Sequence, residues 1–191
     1  MNKFLTAAAI ALTFGGTMTV AVPEADAQSR VRDRSVNVQG AHGRGFERQR
    51  SVAREPRYRS ASRSVQTNGG YERNASRTRS NGDVQTQRSV QTANGSGYSY
   101  NRSVDREPGY VAADRSFQTN SGRGVSSSRD AAWGDGSYSG GATHTTNDGT
   151  TWGRSTSVHD NGDGSYTGTV TRVRPDGTTG SATKTVTRTP N

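Results

Sequence analysis

The chain predicts an all-β repeat protein, low in complexity and weak in core, and three observations carry that expectation. Turn dipeptides recur at near-even intervals, the segments between them are rich in Val, Thr, Ser and Tyr, and longer motifs return roughly every 27 residues. Only 27% of the 191 residues are hydrophobic, and none is Cys. From Gln28 onward there is no Leu, Ile or Met, so the large apolar side chains are valines and aromatic rings alone. Such a chain cannot enclose a conventional enzyme core, and it has no disulfides to replace one. The predicted architecture for the C-terminal two-thirds is a meander of short hairpins or a β-solenoid-like coil, with two turns in each repeat.

The first 27 residues read as a secretory signal peptide. Lys3 precedes an uncharged apolar stretch from Phe4 to Val22, and the small residues Ala25 and Ala27 ahead of Gln28 form an A-x-A cleavage site. The expected products are a mature chain beginning at Gln28, a periplasmic or secreted location, and no membrane span once the signal is removed.

Residues 28–62 carry many charges and few apolar groups, which predicts a disordered, Arg-rich arm. Charge is concentrated toward this end: sixteen Arg against seven acids lie between Gln28 and Glu107, but eight bases against seven acids follow. Arg30, Arg32, Arg34, Arg44, Arg48, Arg50, Arg54, Arg57, Arg59 and Arg63 are the expected contacts for an anionic polymer, whether acidic polysaccharide, lipopolysaccharide or extracellular DNA. Guanidinium groups grip carboxylate and phosphate in bidentate fashion, and a polyanion releases counterions when they do so. Phe46, Tyr58 and Tyr71 are interleaved with them.

Residues 63–130 form a first repeat block of marginal β character. Arg63-Ser64-Val65-Gln66-Thr67 returns as Arg88-Ser89-Val90-Gln91-Thr92 and again as Arg115-Ser116-Phe117-Gln118-Thr119. Residues 131–191 form a Gly-, Thr- and Asp-rich block, in which Gly134-Asp135-Gly136-Ser137-Tyr138 returns as Gly162-Asp163-Gly164-Ser165-Tyr166. The turns are placed at Asn68-Gly69, Asn81-Gly82, Asn94-Gly95, Pro108-Gly109, Ser121-Gly122, Asp135-Gly136, Asp148-Gly149, Asn161-Gly162 and Asp176-Gly177, as two-residue hairpin turns. In the last strands, alternation puts Tyr166, Gly168, Val170 and Arg172 on one face and Thr167, Thr169 and Thr171 on the other. Trp152, Arg154, Thr156 and Val158 continue the first pattern.

No residue constellation in the chain predicts catalysis, and no cofactor or small-molecule substrate is expected. His42, His144 and His159 lack a third metal ligand at a recognised spacing and read as surface residues. Asp160-Asn161-Gly162-Asp163-Gly164 departs from the calcium-loop pattern at its third position and lacks the distal Glu, so it reads as a turn. The functional expectation is an exported, non-enzymatic structural or interaction protein of the bacterial envelope, surface or matrix. Self-association through exposed strand edges is expected, and the alternative is a polyanion binder in which the repeats serve as a spacer.

Overall fold

The computed structural model describes residues 29–187. The signal-peptide positions, including Ala25, Ala27 and Gln28, lie outside the described residues. Twelve strands follow one another: β1 Arg30–Gln39, β2 Gly45–Glu55, β3 Tyr58–Thr67, β4 Glu72–Ser80, β5 Asp83–Gln91 and β6 Gly97–Glu107, then β7 Tyr110–Thr119, β8 Gly124–Gly134, β9 Ser137–Thr146, β10 Thr151–Asp160, β11 Ser165–Val173 and β12 Thr179–Thr187. Each pairs antiparallel with the next, and the twelve make one open sheet in sequence order. The meander alternative is therefore the one adopted, and the solenoid is not. No helix among the described residues is long and apolar enough to cross a membrane.

The Arg-rich stretch 28–62, expected to be disordered, instead supplies β1, β2 and the first half of β3. Its composition forbids a buried core but not a ladder. Backbone pairing is indifferent to side-chain polarity, and every ladder bond of β2 is satisfied by an adjacent strand on each side. Charge and low apolar content diagnose the absence of a core, which this sheet does without along its whole length. Among the described residues only Val84 and Val104 are buried apolar side chains.

Two kinds of connection alternate between the two ends of the sheet. At one end the expected two-residue turns occur at Asn81-Gly82, Pro108-Gly109 and Asp135-Gly136, as the closing pairs Ser80↔Asp83, Glu107↔Tyr110 and Gly134↔Ser137 show. Asn161-Gly162 belongs instead to a three-residue loop closed by Asn161 N–H donating to Ser165 O at 3.0 Å. Asn81 and Gly82 both have positive φ, as do Asp135 and Gly136, which is the type I′ geometry that matches strand twist. At the other end the expectation of two-residue turns is wrong. Asn68-Gly69, Asn94-Gly95, Ser121-Gly122, Asp148-Gly149 and Asp176-Gly177 lie there in three-residue loops. Most are closed by a Thr, as in Thr67 N–H donating to Tyr71 O at 2.9 Å and Thr119 N–H to Arg123 O at 2.8 Å, and the last by Arg174 N–H donating to Thr178 O at 2.9 Å. A three-residue loop needs one left-handed residue only, so the pivot after Asn68 is Gly70, with φ of 78°, rather than Gly69. Pro56-Arg57 and Gly40–Arg44 are further connections that no Asn-Gly or Asp-Gly signal marked.

The three-residue loops are stitched together by asparagine. The Asn68 amide donates to Gly43 O at 2.9 Å, Asn120 to Gly95 O at 2.8 Å and Asn147 to Gly122 O at 2.7 Å. Each Asn also donates its own backbone N–H to a strand-entry glycine: Asn68 to Gly45, Asn120 to Gly97 and Asn147 to Gly124. Those glycines have no room for a side chain. A Cβ on Gly124 would lie 2.5 Å from Phe117 O and 3.0 Å from the Asn147 amide. Where Pro175 replaces the loop asparagine, the facing strand-entry residue is Thr151 rather than glycine. Where Ala93 replaces it, the loop glycine Gly70 lies against it instead, with a Cβ at 70 only 2.8 Å from the Ala93 Cβ.

The later loops add carboxylate caps. Asp176 accepts from Thr178 Oγ1 at 2.7 Å and Thr178 N–H at 2.9 Å, Asp163 accepts from Ser165 in the same way, and Asp148 accepts from Thr146 Oγ1 and Thr150 N–H. The hydroxyl donors Thr146, Ser165 and Thr178, followed by the backbone donors, hold all three carboxyls below the usual Asp value.

Two outcomes follow from these contacts. Asn120→Ala and Gly97→Ala each destabilise the β6–β8 region by about 1 kcal/mol or more. Gly97→Ala costs the more of the two, because its Cβ would lie 2.1 Å from Val90 O, a backbone clash that losing the Asn120 amide does not relieve; amide exchange of β6–β8 reads this, and an equal or smaller cost for Gly97→Ala would refute the close approach. For the carboxylates, folded values depressed below the unfolded one mean that the stabilisation is fully present above the ordinary Asp value and is lost as pH falls through the lower folded values. Acid titration followed at the Thr150, Ser165 and Thr178 amides is expected to show these loops intact at neutral pH and loosening only below the ordinary Asp range.

Candidate functional site

The site follows from parity. In an antiparallel ladder, directly opposed residues point to the same side and successive residues alternate, so the pairings assign every strand residue to a face. One row runs Arg34, Arg50, Arg63, Ala75, Arg88, Tyr100, Phe117 and Val125 across β1 to β8. The adjacent row runs Arg32, Val52, Ala61, Arg77, Thr86, Arg102, Arg115 and Ser127. A third begins Arg30, Arg54, Arg59, Arg79, Val84 and Val104, and reaches Arg129, Arg154 and Arg172 in the later strands. Every arginine within a described strand stands on this face, together with Lys184.

The opposite face is small, polar and acidic. Asp33, Glu47, Glu55, Glu72, Asp83, Asp105, Glu107, Asp114 and Asp130 all stand there, and Asp160 is the one strand acid on the arginine face. Between them are serines, glutamines and threonines. Hydroxyl pairs cross the strands toward the C-terminal edge, with Thr167–Thr185 and Thr169–Thr183 both at 3.1 Å. The alternation expected for β10 and β11 is the one observed, and it extends to all twelve strands.

Arginines on the positive face are set against one another rather than against acids. Arg50 is opposed by Arg34 on one side and Arg63 on the other, and Arg59 lies between Arg54 and Arg79. Like charges directly opposed in a ladder destabilise it. Between these rows lies an open trough of about 530 Å³, with Val84 and Val104 at its floor and Arg63, Arg77, Arg88 and Arg102 among its walls. The two valines are 7% and 3% exposed, and in a single layer such shielding comes from the stems of long neighbours. Aromatic rings are interleaved: the Arg88 guanidinium lies 6.0 Å from the Tyr100 ring centroid, and Tyr98 packs against Phe117 at 5.6 Å.

Of the residues expected to contact a polyanion, Arg30, Arg32, Arg34, Arg48, Arg50, Arg54, Arg59 and Arg63 are brought together here. Arg44 and Arg57 sit in connections at opposite ends of the sheet. Arg73, Arg77, Arg79, Arg88, Arg102, Arg106, Arg115 and Arg129 share the face without being expected there, alongside Arg154 and Arg172, which the alternation of the last strands already places on one face. Their signal was available: Arg recurs at even spacing with Val or Tyr and at odd spacing from Ser.

His144 and His159 point to opposite faces, and His144 stacks on Trp152 with ring centroids 5.4 Å apart. The Asp160 and Asp163 carboxylates are engaged by Gly162 N–H and Ser165 within their own turn. Compared with known proteins, the chain matches no family model, no curated protein and no solved structure.

Opposed arginines make a simple test. Arg50→Thr is expected to raise stability by about 0.5 kcal/mol at low ionic strength, since it removes two like-charge contacts from the ladder. The gain should vanish near 1 M salt, where charges are screened within about 3 Å. Denaturant titration at both salt concentrations checks it; a less stable variant at low salt would show that the arginines are not in mutual repulsion.

Proposed function

We propose that this is an exported, non-enzymatic binding protein whose arginine face takes up an anionic polymer outside the cytoplasm. The observation that carries the reading is the segregation itself. Strand arginines collect on one face, and all but one of the strand acids are turned away from it. A fold that needed only solubility would gain from mixing the two signs. Holding like charges in opposed pairs costs stability, which a multivalent anion offsets by neutralising them while releasing its own counterions. The repeats are then the binding surface rather than a spacer for a basic arm.

Export rests on the N-terminal signal, with cleavage after Ala27, and the periplasm or the cell exterior is the proposed location. The repeat of about 27 residues is the unit by which the face is extended: each unit adds two strands and restores the same parity.

A second reading is favoured by one further observation. β1 and β12 each have a neighbour on one side only, and twelve is an even number, so β12 runs opposite to β1. A second copy whose β1 lay against β12 would continue the antiparallel meander with its arginine face on the same side. Such a contact does not close on itself and builds a filament. Concentration-dependent sedimentation and fibre formation at neutral pH test it; a strictly monomeric chain removes it.

For the leading reading, the decisive variant lies outside the N-terminal arm. Replacing Arg73, Arg77 and Arg79 of β4 with Ser is expected to weaken binding to polyphosphate at least tenfold at low salt. The slope of log affinity against log salt should become shallower by nearly one for each arginine lost from contact. Unchanged affinity and slope would return binding to the arm alone.

A further inference from the structure

Beyond β7 the positive face changes character. Its rows there hold Gly and Ala where earlier strands hold arginine: Ala113, Ala131, Gly140 and Ala142 form the floor of a shallow trough of about 390 Å³. Arg129 and Arg154 stand opposite one another across this floor, with Ala142 between them in the same row. Two strand spacings separate their backbones, about 10 Å. Asp130, the one acid at the trough, belongs by alternation to the opposite face.

Aromatic rings bound the guanidinium pair on both sides along the strands. The next row in one direction carries the stacked pair His144 and Trp152. In the other direction Tyr138 lies back across Gly140: a Cβ on that glycine would be 2.7 Å from the tyrosine hydroxyl. The ring therefore covers the row next to the arginines and stays 40% exposed, with Trp133 beside it 51% exposed. Each aromatic platform is about 7 Å from the arginine row, one two-residue step of a strand. Exposed Trp133 and Tyr138 and half-buried Trp152 over a floor of small residues, with two exposed arginines in one row across it, describe a built recognition surface rather than incidental exposure.

Resting on the polyanion reading, we infer that this trough is a subsite for acidic sugar residues, and that the polymer is a uronate-containing polysaccharide. A pyranose offers an apolar face of C–H groups to an aromatic ring. A uronic acid carries its carboxylate directly on that ring, so that stacking group and charge alternate within one sugar diameter. Ring, cation pair and ring occur in that order here. A guanidinium takes the carboxylate through two parallel N–H···O bonds. Polyphosphate supplies the charge but nothing to stack, so it engages the arginine rows of β1–β7 and leaves the aromatic platforms unoccupied.

The two tryptophans of the chain, Trp133 and Trp152, both border this trough, so intrinsic tryptophan fluorescence reports on it alone. The experiment titrates the full mature chain with short oligogalacturonate, a neutral glucan oligomer of equal length, oligothymidylate and polyphosphate. It uses wild type, Arg129→Gln/Arg154→Gln, and Tyr138→Ser. A saturable emission shift is expected with oligogalacturonate, with affinity at least tenfold weaker in both variants. Polyphosphate should bind all three proteins within about twofold, without moving the tryptophan emission. The paired-arginine variant changes exposed side chains only, so it keeps the test sound if removing Tyr138 disturbs the strand. Polyphosphate binding with no response to oligogalacturonate overturns the subsite and leaves the polyanion face standing. An equal response to the neutral glucan, or a stronger one to oligothymidylate, overturns the assignment to uronate. Failure to bind any anion overturns both readings.

Discussion

Backbone hydrogen bonding between consecutive strands is the constraint from which the remaining features descend. With no second layer over either face among the described residues, the sheet's side chains contribute little burial, and Val84 and Val104 are an isolated pair. What remains is the ladder, and it places few demands on composition: each N–H and C=O must meet its neighbour, whatever stands on the Cα. The arrangement explains how a stretch as charged as Arg30–Glu55 forms two long strands. It also explains why order is enforced at the loops. A ladder without a core has weak resistance to register slip. The asparagine contacts from Asn68, Asn120 and Asn147 to the preceding loop pin one end of the sheet.

A ladder also enforces parity, and here parity sorts charge. Shifting any strand by one residue would carry its arginines to the acidic side. The observed pairing keeps rows such as Arg34, Arg50 and Arg63 together at an electrostatic cost. The same rule turns the serines of the Arg-Ser-Val motifs outward on the other face, where they stand among the acids. One face thereby gathers the arginines, graded from dense arginine near β1 to aromatic rings over glycine and alanine near β10. The other is a hydroxyl-rich surface carrying most of the compensating charge.

Much of the fold can be read along the chain because hairpins are local. Asn81-Gly82 and Asp135-Gly136 announce their turns through residues that tolerate positive φ. The Gly70 loop does not announce itself in the same way. Asn68-Gly69 has the look of a two-residue turn, and only the closing Thr67–Tyr71 bond shows that the loop is one residue longer. Arg44 and Arg57 were indistinguishable in sequence from their neighbours, yet connections take them off the face. Arg129 and Arg154 lie 25 positions apart in sequence, outside any charge cluster, and become partners only because β9 runs between them.

By itself the sequence determined the class of the molecule: strands, frequent turns, no disulfides and a surplus of arginine. Those follow from residue type and near-neighbour spacing, which act before any long-range contact exists. Only the tertiary structure decided that the turns close one continuous meander, that the Arg-rich segment belongs to it, and that scattered arginines and aromatics meet on one face. The reason is that register is a property of strand pairs. A residue's face is its own to choose within a strand, but its neighbours in a row come from the adjacent strands, as Arg63 meets Arg50 on one side and Ala75 on the other, and pairing alone brings them opposite one another.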